Sequence, residues 1–142
     1  MSVIGALQRY LSEYQEIDLV LTDMTRGVGS YALSQSAGGA LKRDVLGNVT
    51  YQNSYIFLMK EHGRDEADRR DNYDFLEGFC EWLEERVDSK NLPVLDATYH
   101  PVSIEVSNAS LMDVDDNGDA TYQIQIQFIY VKKIEVKNKW LT

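Results

Sequence analysis

The sequence predicts an α+β domain in which two helices pack on one face of an antiparallel sheet of about four to six strands. Apolar residues recur at helical spacing in two segments and alternate with polar residues in several others. Asn and Gly also stand together where neighbouring strands have to turn. The chain of 142 residues is long enough for one hydrophobic core, so we expect a single domain over residues 1–131.

The N-terminal part predicts a helix, a strand and a glycine-rich segment, in that order. A strand of aliphatic residues is expected at 17–22. Residues 27–48 are rich in Gly, Ser and Ala, which predicts one short strand at 31–35 with loose flanks that order against a partner. The helix is expected over residues 2–14, capped by Ser2, because it has an apolar face formed by Ile4, Leu7, Tyr10, Leu11 and Tyr14.

A strand and a long acidic helix are predicted next. Alternation over residues 45–60 indicates a strand that begins near a hairpin turn at Gly47 and Asn48. Its second half is apolar on both faces, which is typical of a central strand. The period then changes to that of a helix over 65–87, with an apolar stripe formed by Leu76, Phe79, Cys80, Leu83 and Val87.

Two strands, at residues 102–112 and 120–131, are expected to complete the sheet. In the second strand an apolar row must face the core, so the glutamines lie on the opposite face. A polar but uncharged face suits solvent or a hydrogen-bonded contact with another subunit. The residues predicted at a subunit interface are Gln123, Gln125 and Gln127, together with Gly27, Gly29, Gly38 and Gly39 of the glycine-rich segment.

The stretch DVDDNGDATYQ, residues 113–123, resembles a calcium-binding loop. Asp113, Asp115 and Asn117 fall on the first three ligand positions of an EF-hand. An EF-hand also needs a glutamate at its twelfth position and flanking helices, whereas here that position is Ile124 and the flanks alternate like strands. We therefore expect a hairpin tip and no metal site.

Catalytic patterns are absent from the sequence. His62 and His100 lie on either side of the long helix, and neither belongs to a zinc-binding motif. Cys80 lies on the apolar stripe, where a buried, inert thiol is expected. We expect no enzymatic activity and no cofactor, while a stand-alone α+β enzyme or ligand-binding domain stays open as an alternative of another class.

Charge is distributed unevenly along the chain. The formal net charge is −9, yet residues 132–142 carry +3, which leaves −12 on the rest. The negative charge on residues 1–131 argues against broad nucleic-acid binding, because it would repel the phosphate groups. The basic C-terminal tail is expected to be solvated or to contact a neighbouring acidic surface through Lys132, Lys133, Lys137 and Lys139. No signal peptide or membrane-spanning segment is predicted, which favours a soluble intracellular protein.

Three segments resemble the tail-terminator, or tail-completion, proteins of long-tailed bacteriophages: VIGALQRYL, YQNSYIFLMKEHGRDEADRRDNYDFLEGFCEWLEE and ATYQIQIQFIYVKK. In particular the chain looks like the group of phage minor capsid proteins found in prophages of Gram-positive bacteria. The resemblance implies a structural virion protein of the tail or neck, assembled in the host cytoplasm.

Such proteins form a hexameric ring that caps the tail tube and joins the tail to the head connector. The partners implied are therefore other copies of the chain, the tail tube protein and the connector or stopper protein, while DNA passes through the ring without sequence-specific binding. A head-side connector or stopper protein of the neck is the alternative within the same machinery.

Overall fold

The computed structural model describes residues 2–15 and 17–134. Two helices and six strands form an α+β fold, which confirms the predicted class. Neither described helix is long and apolar enough to cross a membrane. In chain order the elements are α1 (Val3–Leu11), β1 (Val20–Thr22), β2 (Ser30–Arg43), β3 (Val49–His62), α2 (Glu66–Asp88), β4 (Tyr99–Val106), β5 (Ser110–Val114) and β6 (Asp119–Lys132).

Both helices begin at caps that the sequence supplies locally. The Ser2 side chain accepts a hydrogen bond of 3.1 Å from the Gly5 N–H. The Asp65 carboxylate accepts one of 2.8 Å from the Asp68 N–H. Each cap satisfies an N–H group that has no partner within the helix, and the negative charge of Asp65 also suits the positive end of α2.

The six strands form one mixed sheet in the order β1–β2–β3–β6–β4, and β5 also pairs with β6. All pairs are antiparallel except that β1 runs parallel to β2, which the sequence did not predict. A parallel connection has to bring the chain back along the length of the first strand. Strand β1 has only 3 residues, or about 10 Å, so residues 23–29 are long enough to connect it to β2.

The core lies between one face of the sheet and the two helices. The rings of Phe57 in β3 and Phe79 in α2 are stacked with centroids 4.6 Å apart. Tyr14, which follows α1, packs edge-on against Phe79 at 5.4 Å, so it joins the two helices at the same layer. The fully buried residues come from both helices and the central strands and include Leu7, Leu11, Leu33, Tyr55, Phe57, Met59, Leu76, Phe79, Leu83, Tyr122, Ile124 and Phe128.

The expectation of a short strand with loose flanks within residues 27–48 is wrong. Strand β2 extends over 14 residues and pairs with β3 from Ser30↔Lys60 to Arg43↔Val49. Irregularities between Gln35 and Ala37 and between Ala40 and Lys42 absorb the extra residues. Local composition predicted too short a strand, because glycine-rich sequence has a low strand propensity by itself. The hydrogen bonds to β3 stabilise the extended backbone of β2 along its whole length.

Other boundaries also differ from the prediction. Helix α1 ends at Leu11 and not at residue 14, and β1 begins at Val20 and not at residue 17. The expected strand from residue 45 begins at Val49, because Asp44 closes a turn by accepting hydrogen bonds from the Leu46 and Asn48 N–H groups. The expected strand over residues 102–112 is divided into β4 and β5. At the division, the Ser107 hydroxyl accepts a hydrogen bond of 3.0 Å from the Gln125 N–H, in place of a strand carbonyl.

Candidate subunit interface

Strands β3 and β6 have one buried face and one open face. The side chains that alternate with the core residues are all half-buried or exposed. We call this surface the open face. In these two strands it consists of Thr50, Gln52, Ser54, Ile56, Leu58, Lys60 and His62 with Asp119, Thr121, Gln123, Gln125, Gln127, Ile129 and Val131. In these two strands the charged side chains are confined to one end. In the neighbouring β4, the exposed Glu105 pairs with Gln127 and adds one negative charge beside the glutamines.

The three predicted glutamines all lie on this face. Gln127 accepts a hydrogen bond of 2.9 Å from the side-chain amide of Gln52, and Gln123 donates one of 3.4 Å to Ser110. Gln125 is exposed and stands directly across from the half-buried Ile56. Its side chain makes no hydrogen bond within the described residues. Amide and aliphatic side chains therefore lie next to each other across neighbouring strands.

The four predicted glycines separate into two pairs. Gly38 and Gly39 lie in β2 opposite Asn53 and Gln52, so Gly39 is near the level of Gln127. Gly27 and Gly29 lie in the turn before β2, near the other end of the sheet, and Gly29 has a positive φ of 82°. The structure thus brings only the Gly38 and Gly39 pair close to the glutamines.

The predicted tail contacts begin inside the sheet. Lys132 is the last residue of β6, and its Nζ lies 5.8 Å from the centroid of the Tyr99 ring. The Lys133 N–H donates a hydrogen bond of 2.8 Å to the Thr98 carbonyl. Lys137 and Lys139 lie outside the described residues. Two of the four predicted lysines are therefore held at the end of the sheet.

A polar group on the buried face was not recognised in the sequence. Asn53 is 7% exposed, and its side-chain amide donates hydrogen bonds to the hydroxyls of Tyr55 (3.0 Å) and Tyr130 (3.1 Å). Burial raises the pKa of both tyrosines, so these hydroxyls stay neutral. The sequence did indicate this buried polar group, because Asn53 is the one amide among the large apolar and aromatic side chains on the buried face of β3.

The hairpin between β2 and β3 ends in an apolar tip. Leu41, Val45 and Leu46 are all exposed there. Val45 and Leu46 lie within the turn that Asp44 closes, where solvent-facing polar residues are more usual. The dipeptide Val-Leu beside Gly47 was the signal in the sequence.

The acidic stretch at residues 113–119 is a hairpin tip between β5 and β6, as predicted. Asp115 accepts hydrogen bonds from the N–H groups of Asn117 (2.9 Å) and Asp119 (3.0 Å), and Gly118 has a positive φ of 79°. These backbone hydrogen bonds, the one from Asp119 first, lower the pKa of Asp115. Among residues 2–15 and 17–134, no three His, Cys, Asp or Glu residues are grouped to hold a metal ion.

Cys80 lines a groove of about 410 Å³ between α2 and residues 108–109. Burial, followed by the charges of Glu84, Glu77 and Glu81, raises its pKa to about 11. The Cys80 thiol is therefore protonated at neutral pH, whereas a cysteine nucleophile has to be a thiolate. Neither His62 nor His100 lines the groove, so no imidazole stands there to take the proton.

The fold and this surface together define the class of protein: an α+β domain with two helices on one face of its sheet and a largely uncharged, open sheet surface on the other. No protein-family model matches the chain, and no curated protein matches it either.

Proposed function

We propose that this protein is a structural virion protein, a phage tail terminator whose ring caps the tail tube and joins the tail to the head connector. The observation that supports this most is the open face around Gln125 and Ile56. The resemblance in the three sequence segments then indicates which kind of assembly protein it is.

In β3 and β6 the middle of the open face is uncharged, which suits contact with protein. Burying an unpaired charge costs far more than burying an amide that regains a hydrogen bond across the interface. Half-buried aliphatic side chains such as Ile56, Leu58 and Ile129 add apolar area to such a contact. A surface used only for solubility would more often have Lys and Glu at these positions.

Strand β2 offers a second feature of an assembly protein. Strand β1 pairs only with Tyr31, Ala32 and Leu33, so one edge of β2 has no described strand beside it from Ser34 to Arg43. An unpaired edge of this length presents N–H and C=O groups that another chain can bind. The exposed Leu41, Val45 and Leu46 at the hairpin tip add apolar contact area.

In this function the protein performs no bond-making chemistry and needs no cofactor. Its partners are other copies of the chain in a ring, which the resemblance makes hexameric, and the tail tube and connector proteins. The acidic body repels DNA, so that DNA slides through the ring without sequence-specific binding. The protein acts in the tail or neck of the virion after assembly in the host cytoplasm.

Electron microscopy of phage particles that lack this protein tests the proposal. We expect tails longer than normal, because nothing stops tube polymerisation, and normal tails when the wild-type gene is supplied again. Tails of normal length that fail to join heads would instead indicate a head-side stopper protein. Normal, infectious particles would contradict both functions and favour a stand-alone enzyme or ligand-binding domain, for which a monomer in sedimentation would be expected.

A further inference from the structure

Positive charge is concentrated at one end of the sheet, which we call the basic end: Lys42 and Arg43 of β2 with Lys132 and Lys133 at the end of β6. Antiparallel pairing through β3 brings them together, because Val49 pairs with both Arg43 and Lys132. A cleft of about 370 Å³ lies here, lined by Lys42, Arg43 and Lys133.

These cations are not neutralised by described residues. Asp44 also lines the cleft, but its carboxylate accepts hydrogen bonds from the Leu46 N–H (2.9 Å), the Asn48 N–H (2.9 Å) and the Asn48 side-chain amide (3.0 Å). No salt bridge is formed by the four cations within residues 2–15 and 17–134. The basic end is therefore a cationic surface on an acidic protein.

The groove beside Cys80 has the opposite charge, and we call it the acidic groove. Glu77, Glu81 and Glu84 line it at helical spacings of four and three, so these like charges are neighbours on one face of α2. None of them forms a salt bridge within the described part of the chain. Like charges so placed destabilise an isolated helix, and a cation from outside would remove that repulsion.

Within one copy of the chain, the basic end and the acidic groove are too far apart to contact each other. The acidic groove lies near the level of Gln125, because Asn108, which lines the groove, follows Ser107, whose N–H donates to the Gln125 carbonyl. Lys132 is seven residues further along β6, or about 23 Å at the rise of a β-strand. The cleft is also lined by Thr50 and Val131 of the open face, whereas the acidic groove lies on the side of the sheet that α2 covers.

We infer that the basic end of one copy docks on the acidic groove of a second copy, with Lys42 and Lys133 placed against Glu81 and its neighbours. Two different patches meet in this contact, so it is head-to-tail, and repetition closes a ring if the rotation allows. The inference rests on the ring of the proposed function. Lys137 and Lys139, which follow in the sequence, add charge of the same sign.

Charge reversal with rescue tests this contact in the full-length chain. One variant reverses the basic end (Lys42→Glu with Lys133→Glu), a second reverses the acidic groove (Glu81→Lys with Glu84→Lys), and a third combines all four changes. Glu85→Lys is the matched control, because Glu85 is exposed on α2 and does not line the groove. Circular dichroism melts establish that each variant is folded, and sedimentation measures self-association at low salt.

We expect each one-sided variant to weaken self-association at least tenfold, while the four-change variant and Glu85→Lys associate nearly as wild type does. Wild-type association should also weaken at about 1 M salt, where the Debye length falls to about 3 Å. Rescue by the four-change variant would be specific for these two surfaces, because reversal of both sides restores attraction between copies but not toward an unchanged partner.

Three results would overturn the inference. In the first, the one-sided variants form rings as well as wild type does, which would leave the proposed function intact. In the second, the four-change variant stays dissociated. In the third, reversal of the basic end abolishes binding to a double-stranded DNA oligonucleotide and leaves self-association unchanged. The basic end would then be a DNA-binding surface and not a contact between copies. A wild-type chain that stays monomeric both in solution and on tail tubes would contradict the ring itself.

Discussion

Gly38 and Asn53 face each other across strands β2 and β3, and a Cβ atom on Gly38 would lie 2.5 Å from Asn53 Oδ1. The Asn53 amide is fixed by its hydrogen bonds to the hydroxyls of Tyr55 and Tyr130, so it cannot move aside freely. Glycine is therefore needed at residue 38 by the close approach of a buried side chain. The adjacent Gly39 has no atom within 4 Å of its Cβ position.

Replacing Gly38 by Ala should destabilise the monomer, whereas Gly39→Ala should not. The overpacking at residue 38 is expected to lower the free energy of unfolding by about 1–3 kcal/mol. At residue 39 the free energy of unfolding should stay the same or rise by up to about 1 kcal/mol, because Ala loses less backbone entropy. Urea denaturation of the two variants measures this difference, and equal stabilities would contradict the close contact with Asn53.

Phe79→Ala should be among the most destabilising single changes. Phe79 is fully buried and stacks on Phe57 at 4.6 Å, so its truncation leaves a cavity between α2 and the sheet. The free energy of unfolding should fall by about 3–5 kcal/mol in chemical denaturation. Val94→Ala, at an exposed position, is the control and should change it by less than about 0.5 kcal/mol. A small effect of Phe79→Ala would mean that the helices do not pack as described.

Calcium should not stabilise the turn at residues 113–119. Asp115 already accepts two backbone hydrogen bonds and lies 3.6 Å from the Lys60 ammonium, so the cation site is taken by the protein's own groups. A calcium site would add about 2.7 kcal/mol at a hundredfold excess of ion over its dissociation constant. Thermal melts in calcium and in chelator should coincide, and a rise in calcium that Asp115→Ala abolishes would refute this.

Asp115 should make the turn sensitive to acid. Its pKa is lowered in the folded protein, so its stabilising effect is complete above the unfolded value of 3.8 and is lost as the pH falls through the lowered folded pKa. Asp115→Asn keeps an acceptor oxygen and removes the titration. The stability difference between wild type and this variant should therefore shrink below pH 3.8, as measured by denaturation across that range. A difference independent of pH would contradict the role of the carboxylate.

Gln125→Glu should leave the monomer folded and prevent assembly. Gln125 is exposed on the open face, so the free energy of unfolding should change by no more than about 0.5 kcal/mol. In a ring the change recurs at every interface, where an unpaired charge costs several kcal/mol to desolvate. Circular dichroism melts and ring formation on tail tubes measure the two effects.

Gln15→Glu adds the same charge at an exposed position after α1 and should assemble normally. If Gln125→Glu caps tail tubes as well as wild type does, the glutamines are only solvated. The interface would then have to lie elsewhere, and residues 27–48 would be the next region to test.

Much of this fold follows from the order of side chains along the chain. The Ser2 and Asp65 caps, the stripe through Leu76 and Phe79 and the turn at Asp115 depend on residues only a few positions apart. The two-residue period of β6 similarly separates Gln125 from the buried row, because neighbouring side chains of a strand point to opposite faces. The helices, the closing hairpin and the glutamine face were therefore predictable.

Strand partners were decided only by the tertiary structure. The glycine-rich β2 is a 14-residue strand because β3 pairs with it over its whole length. Strand β1 pairs with β2 in parallel over only three residues, so a short connection is sufficient. The same pairing placed Gly38 against Asn53 and Lys42 near Lys133, residues far apart in the sequence. A strand's hydrogen bonds go to a distant segment, so its extent and its neighbours are set by the whole chain and not by local composition.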